Sequence, residues 1–262
     1  MLTRVKAPVR EGGWRRGLHS LLRAGFAEWW KTNTWWVHSL IWTGILSLML
    51  IGILAGGEGV AGADAVGFMV LFGGMFPVVA VIIIMQGAIV GEKQNGAAAW
   101  ILSKPVSRTA YILGKLIPNA GSMPVAMLFI PLVVGAVILR LTGVHLSPLR
   151  FLGGYLVVAL NMLFYIALTV MLGAMFKKRG GVIGIPLGLL FGQQYLLSAV
   201  PALAKVLPWG LALPVGEGIG SSIAVAVMLG LAPPTWLPVI VAAVAIVVFT
   251  MVAIWRFREV EL

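Results

Sequence analysis

An all-α fold that crosses a membrane six times is what this sequence predicts, on three observations. Hydrophobic residues fill 60% of the 262 positions and charged ones 10%, for a mean hydropathy of +1.03. That is more apolar surface than a soluble core absorbs. Six runs reach the ~20 apolar residues that a bilayer asks of a helix: 36–56, 67–90, 118–139, 151–176, 181–203 and 237–256. The basic residues also fall on one side. With the N-terminus inside, the N-terminal arm holds seven, residues 91–115 four, Lys177-Lys178-Arg179 three and the C-terminus two, leaving only Arg140, Arg150 and Lys205 outside. The positive-inside rule then predicts both termini cytoplasmic and a multi-pass protein of the plasma membrane. The net charge of +11 belongs to membrane edges and anionic lipid headgroups, and no nucleic acid is implied. Cysteine is absent, which excludes disulfide and thiol chemistry.

The chain divides into residues 1–35, a cytoplasmic basic arm with an amphipathic interfacial helix, and 36–262, a six-helix transmembrane domain. From Trp14 to Lys31, Trp14, Leu18, Leu21, Leu22, Gly25 and Trp29 share one helical face, with Arg16, Ser20, Arg23 and Ala27 opposite. Such a helix lies on a membrane surface. It serves as an anchor, or as an anchor that also transmits motion from a partner. Trp29, Trp30, Trp35 and Trp36 mark the interface where the chain turns into the bilayer. Glu58 and Asp64 make the first loop an outer, acidic one. In the third span Pro118 can start the helix, while Pro124 and Pro131 predict a kink whose freed carbonyls a neighbouring helix must satisfy. Residues 204–236 are apolar but broken by prolines and glycines. Their longest clean run, Ile219 to Leu231, is too short to span and predicts a re-entrant hairpin before the last span.

Between the second and third spans lies the one internal stretch that mixes charges with helix signals, Gly91 to Lys115. Glu92 and Lys93 should emerge at the inner surface. Gln94 to Leu102 reads as a short helix with Ala97, Trp100 and Ile101 on one side. Pro105 forces Lys104 out of helical dihedrals and ends it near Ser103. Ser107 can cap a second short helix through the free amides of Thr109 or Ala110, loosened by Gly114 before the third span. Helix, proline corner and helix make either a lever under two spans or a plain interfacial loop.

The segment resembles the cytoplasmic loop of ABC-2 type transporter permeases. Glu92, Lys93 and Gly96 match its E-K-x-x-G start, and Leu102, Ser103, Pro105, Val106, Ser107 and Arg108 match its L-S-x-P-(V/I)-(S/T)-(R/K) run. Gly114 and Lys115 match its closing glycine-lysine, and Ala97 stands where Thr or Ser is common. The resemblance implies the membrane subunit of an ATP-driven transporter, usually an exporter working by alternating access. It also implies two ATPase subunits docked beneath and a second permease copy, identical or paralogous, alongside. The coupling helix would sit in this loop, with Glu92, Lys93, Gly96, Trp100, Ser103, Pro105, Ser107 and Arg108 as coupling residues. A stand-alone channel or ion-coupled carrier is the alternative.

No G-x-x-x-x-G-K-[ST] phosphate loop occurs, so ATP and its Mg belong to a partner, and no cofactor or catalytic residue is expected here. His19, His38 and His145 have no metal-ligand spacing. No acid lies mid-span, which speaks against ion coupling. Gln193, Gln194 and Tyr195 form the most polar patch within a span and, with Asn161, are the candidates for a translocation path. Hydrogen bonding between helices is the other reading of such groups.

Overall fold

The structure is a computed structural model, and it describes residues 12–56, 62–200, 202–203, 206–214 and 222–259. Residues 1–11 of the basic arm, and Glu58, Lys205 and Glu217, lie outside the described residues. Among the described residues six helices are long and apolar enough to cross a membrane. They are α2 (Thr34–Gly56), α3 (Gly62–Gln94), α5 (Arg108–Leu141), α6 (Pro148–Met175), α7 (Arg179–Ala199) and α10 (Leu237–Glu259). Among the described residues the shorter α-helices are α1 (Leu18–Trp30), α4 (Ala97–Leu102), α8 (Trp209–Ala212) and α9 (Ile223–Leu229), with a 3-10 turn at Gly13–Arg15 ahead of α1.

Helix α6 is the centre. In its most apolar window 78% of the residues are buried, against 17% in α2 and α10 and 22% in α7. The three outer helices therefore present apolar flanks, as a bilayer or a second chain permits. Small residues let neighbours approach α6: a Cβ on Gly154 would stand 2.3 Å from Met228 of α9. This is the close packing that glycine supports between membrane helices.

Several elements are longer than their apolar runs. Helix α3 begins at Gly62, so Asp64 lies in its first turn rather than in a loop, where a carboxylate favours the positive end of the helix dipole. Helix α5 begins at Arg108, so the expected second short helix is the start of the third span itself. Pro118 therefore sits inside the helix and does not start it. The predicted irregularity at Pro124 is a π-turn over Pro124–Phe129. Ser39 of α2 donates to the Ala126 carbonyl there at 2.9 Å, which supplies the partner such a break needs. In the region before α10, Ile219 lies outside the described residues, while α9 is buried and Ser222 caps it by accepting from Val225 N at 3.3 Å. Gly230 (φ +75°) ends it in the left-handed region, a backbone that glycine adopts without strain.

Helix α1 packs on the start of α5. A Cβ on Gly114 would lie 2.7 Å from Leu21, and one on Gly25 would lie 2.6 Å from Pro118. Gly114 is thus a point of close approach and not a loosened turn. Trp29 Nε1 donates to Asn119 Oδ1 at 2.9 Å and Trp30 Nε1 to Ser122 Oγ at 3.0 Å. Of the residues whose spacing puts them on one face, Trp29 is buried and Leu18, Leu21, Leu22 and Gly25 are half-buried, whereas Trp14 is 50% exposed.

Candidate functional site

The loop joining α3 to α5 is held by its own backbone rules. A π-turn over Gly87–Gly91 brings α3 to its end at Gln94. Gly96 then takes φ +77°, which the absence of a side chain makes cheap. Asn95 Oδ1 accepts from Ala97 N at 3.0 Å to open α4. The predicted single helix from Gln94 to Leu102 is therefore broken by this glycine turn. Helix α4 ends at Leu102, and Pro105 makes the exposed corner. Ser107 caps α5 by accepting from Ala110 N at 2.9 Å. Its amide donates to the Arg16 carbonyl at 2.9 Å and its hydroxyl to the Trp14 carbonyl, which pins the N-terminal arm to the corner.

The charged residues at the root of this loop point into the bundle. Glu92 accepts from Tyr111 Oη at 2.7 Å and from Lys115 Nζ at 2.5 Å. Lys93 Nζ donates to the carbonyls of Gly173, Ala174 and Phe176 at 3.0, 3.3 and 2.9 Å. Those carbonyls are left over at the C-terminus of α6, where a helix has no internal donors and its dipole is negative. Arg108 does the same for α10, donating from Nη1 to the carbonyls of Phe257 at 3.2 Å and Arg258 at 2.6 Å. Arg258 returns a bond to Thr109 Oγ1 at 3.1 Å, and Tyr111 stacks on Phe257 with centroids 4.9 Å apart. Gln94 bridges the turn between α6 and α7, donating to the Lys177 carbonyl and accepting from Arg179 Nε, each at 3.0 Å.

The tip of the loop faces outward. On α4, Ala98 is buried and Ile101 and Leu102 are half-buried, while Trp100 is 63% exposed. Trp100 therefore does not share the inward face with Ile101. Lys104 Nζ stands 3.4 Å above its ring, a cation–π contact that shapes an aromatic and basic knob. Ser103, Pro105 and Gly96 are exposed beside it. The eight predicted coupling residues thus divide. Trp100, Ser103, Pro105 and Gly96 form the tip, whereas Glu92, Lys93, Ser107 and Arg108 tie the loop to α5, α6, α10 and the N-terminal arm. Tyr111 and Lys115 belong to the same clasp without having been picked out for it. Their signal was Glu92, the one acid of the stretch, which needs a partner when half-buried.

The polar residues of the spans do not form one patch. Gln193 is buried, donating to Tyr165 Oη at 2.7 Å and accepting from Trp209 N at 2.9 Å, so it joins α7 to α6 and α8. Gln194 is exposed, and Tyr195 is 77% exposed. Asn161 is buried in α6. The basic segments 14–16, 93–108, 177–179 and 256–258 all meet at one end of the bundle, through the bonds just described. Among the described residues no group of three or more His, Asp or Glu side chains could hold a metal ion.

A bundle of six apolar helices, clasped by a polar loop at its basic end, defines a multi-pass membrane protein. The model of the ABC-2 family transporter protein matches residues 37–262, and the chain belongs to that family. It is an ABC-2 membrane permease domain, the non-catalytic part of a transporter. Permeases of this family generally pair with ATPase subunits. A comparison with curated proteins yields no match.

Proposed function

We propose that the chain is the permease subunit of an ATP-binding cassette exporter, working by alternating access. Two separate ATPase subunits dock under its basic end, and a second permease copy lies alongside. The basic end is cytoplasmic, with both termini, in keeping with the positive-inside rule. One observation carries the mechanism: the loop has an exposed tip at Trp100, Lys104 and Pro105, and its root grips the ends of α6 and α10 through Lys93 and Arg108. A partner that pushes the tip moves a unit already bonded to the central helix and the last one. Exposed aromatics are the residues on which protein contacts concentrate their energy. Helix α1, locked to α5 and to Ser107, lies at the interface and moves with that unit. The short helices α8 and α9 form the re-entrant hairpin on the outer side. Gln194 and Tyr195, on the open flank of α7, face the path between the two copies, while Gln193 and Asn161 hold its wall.

The test is affinity purification of the tagged chain in mild detergent from its native membrane. An ATPase carrying a phosphate loop is expected to co-purify in stoichiometric amount. Trp100→Ala is expected to lose it. Lys93→Met is expected to keep it while uncoupling hydrolysis from transport. Recovery of the chain alone, as a stable oligomer, would overturn the reading.

A further inference from the structure

Beside the clasp a cavity of about 400 Å³ opens between α1, the basic end of α3, α4 and the start of α5. Ligand pockets span roughly 300–1,000 Å³. The hole exists because Ala24, Gly87 and Ala88 line it with no bulk, and a Cβ on Gly87 would meet nothing within 4 Å. Leu21, Ile84 and Ile101 give the cavity apolar lining. Ile84 is itself 37% exposed and its neighbour Ile83 49%, so apolar surface continues onto the flank of α3. Glu28, Glu92 and Lys115 give the lining its charge.

The sign of that charge is unusual for this molecule. Two carboxylates against one ammonium leave the lining net negative, in a chain of net charge +11. The carboxylates also differ in what they already hold. Glu92 has both oxygens engaged, by Tyr111 and Lys115. The Glu28 carboxylate has no hydrogen-bond or ion-pair partner among the described residues. A free carboxylate on the rim of a half-apolar hole is complementary to a cation carried on a hydrocarbon chain. Charge-assisted hydrogen bonds are the stronger ones, and a low-dielectric wall strengthens them further. An anionic headgroup would meet like charge instead.

We propose that this cavity binds the ammonium headgroup of an amphiphile, its nitrogen against Glu28 and its tail along Ile84 on the flank of α3. The shared chemistry is an ammonium on an apolar chain, whether from a zwitterionic lipid or from a hydrophobic amine. The site rests on the cavity and its charge, and stands or falls independently of the exporter reading.

The full chain in phosphatidylglycerol nanodiscs, a lipid matrix without ammonium groups, is titrated with radiolabelled dodecylammonium, whose N–H groups can donate to a carboxylate. A saturable site on the chain is expected. Glu28→Gln should weaken it about tenfold, the loss of one charge-assisted contact. Gly87→Leu should fill the hole and remove saturable binding. Glu28 is an exposed position, so its variant keeps the test decisive should Gly87→Leu fail to fold. Displacement of the label by lysophosphatidylethanolamine supports the site with a lipid headgroup as its source. Displacement by phosphate-free amines alone supports it with a hydrophobic amine as its source. No saturable binding, equal affinity in wild type and Glu28→Gln, or equal displacement by dodecyl maltoside overturns the proposal.

Discussion

Lys93 and Lys104 sit in one loop, carry the same charge and have opposite fates. Lys93 closes the root: its ammonium caps three carbonyls at the end of α6. Lys104 crowns the tip, where it covers the ring of an exposed tryptophan. Between them lie the Gly96 turn and α4. The difference teaches that a motif is not a surface. Part of this one holds the permease to itself, and part is available to something else. What separates the two lysines is what lies beside them: Lys93 meets the end of α6, and Lys104 the Trp100 ring. A C-terminus with unsatisfied carbonyls attracts a cation, and the root lies against two such ends, those of α6 and α10.

That contrast can be broken or sharpened experimentally, beginning with the root. Lys93→Met keeps the apolar stem but strips three carbonyls of their donor. A loss of about 2 kcal/mol in stability is expected, read as a lower midpoint of thermal unfolding in detergent, and Arg108→Met should lose a similar amount at the end of α10. At the glycine turn that opens the tip, Gly96→Ala places a side chain at φ +77° and should lose about 1 kcal/mol. Pro105→Ala, at the exposed corner, should leave the midpoint unchanged yet weaken coupling of ATP hydrolysis to transport in reconstituted vesicles. Trp100→Ala should likewise leave stability within about 0.5 kcal/mol, while abolishing recovery of the ATPase. If Lys93→Met left the midpoint intact and lost the ATPase, root and tip would have to exchange roles.

The same division runs through what could be read before any fold was in hand. The Ser107 cap and the stop of α4 before Pro105 were legible, because both are local: a side chain and an amide three residues on, or a ring against the preceding backbone. The face of Trp100 was not legible in the sequence. A six-residue helix offers too few positions for periodicity to separate Trp100 from Ile101. Gln193 and Tyr195 read as one polar patch because they are close in sequence, yet the helix turns one onto Tyr165 and the other outward. Gly114 read as a weak helix former because Leu21, the side chain that needs its missing Cβ, lies far away in sequence.

By itself the sequence determined the number of spans, the end at which the positive charge gathers and the loop that joins the second span to the third. Each of these is a sum over neighbouring residues, and hydration acts on such sums directly. Only the tertiary structure decided that α6 is the centre, that Lys93 and Arg108 serve foreign helix ends, and that small residues leave a cavity beside Glu28. Helices such as α2, α3 and α10 are apolar all round, so no periodicity marks an inner face. Which face turns inward is settled by shape, where one helix offers a glycine or an open carbonyl and another brings the group that fits it.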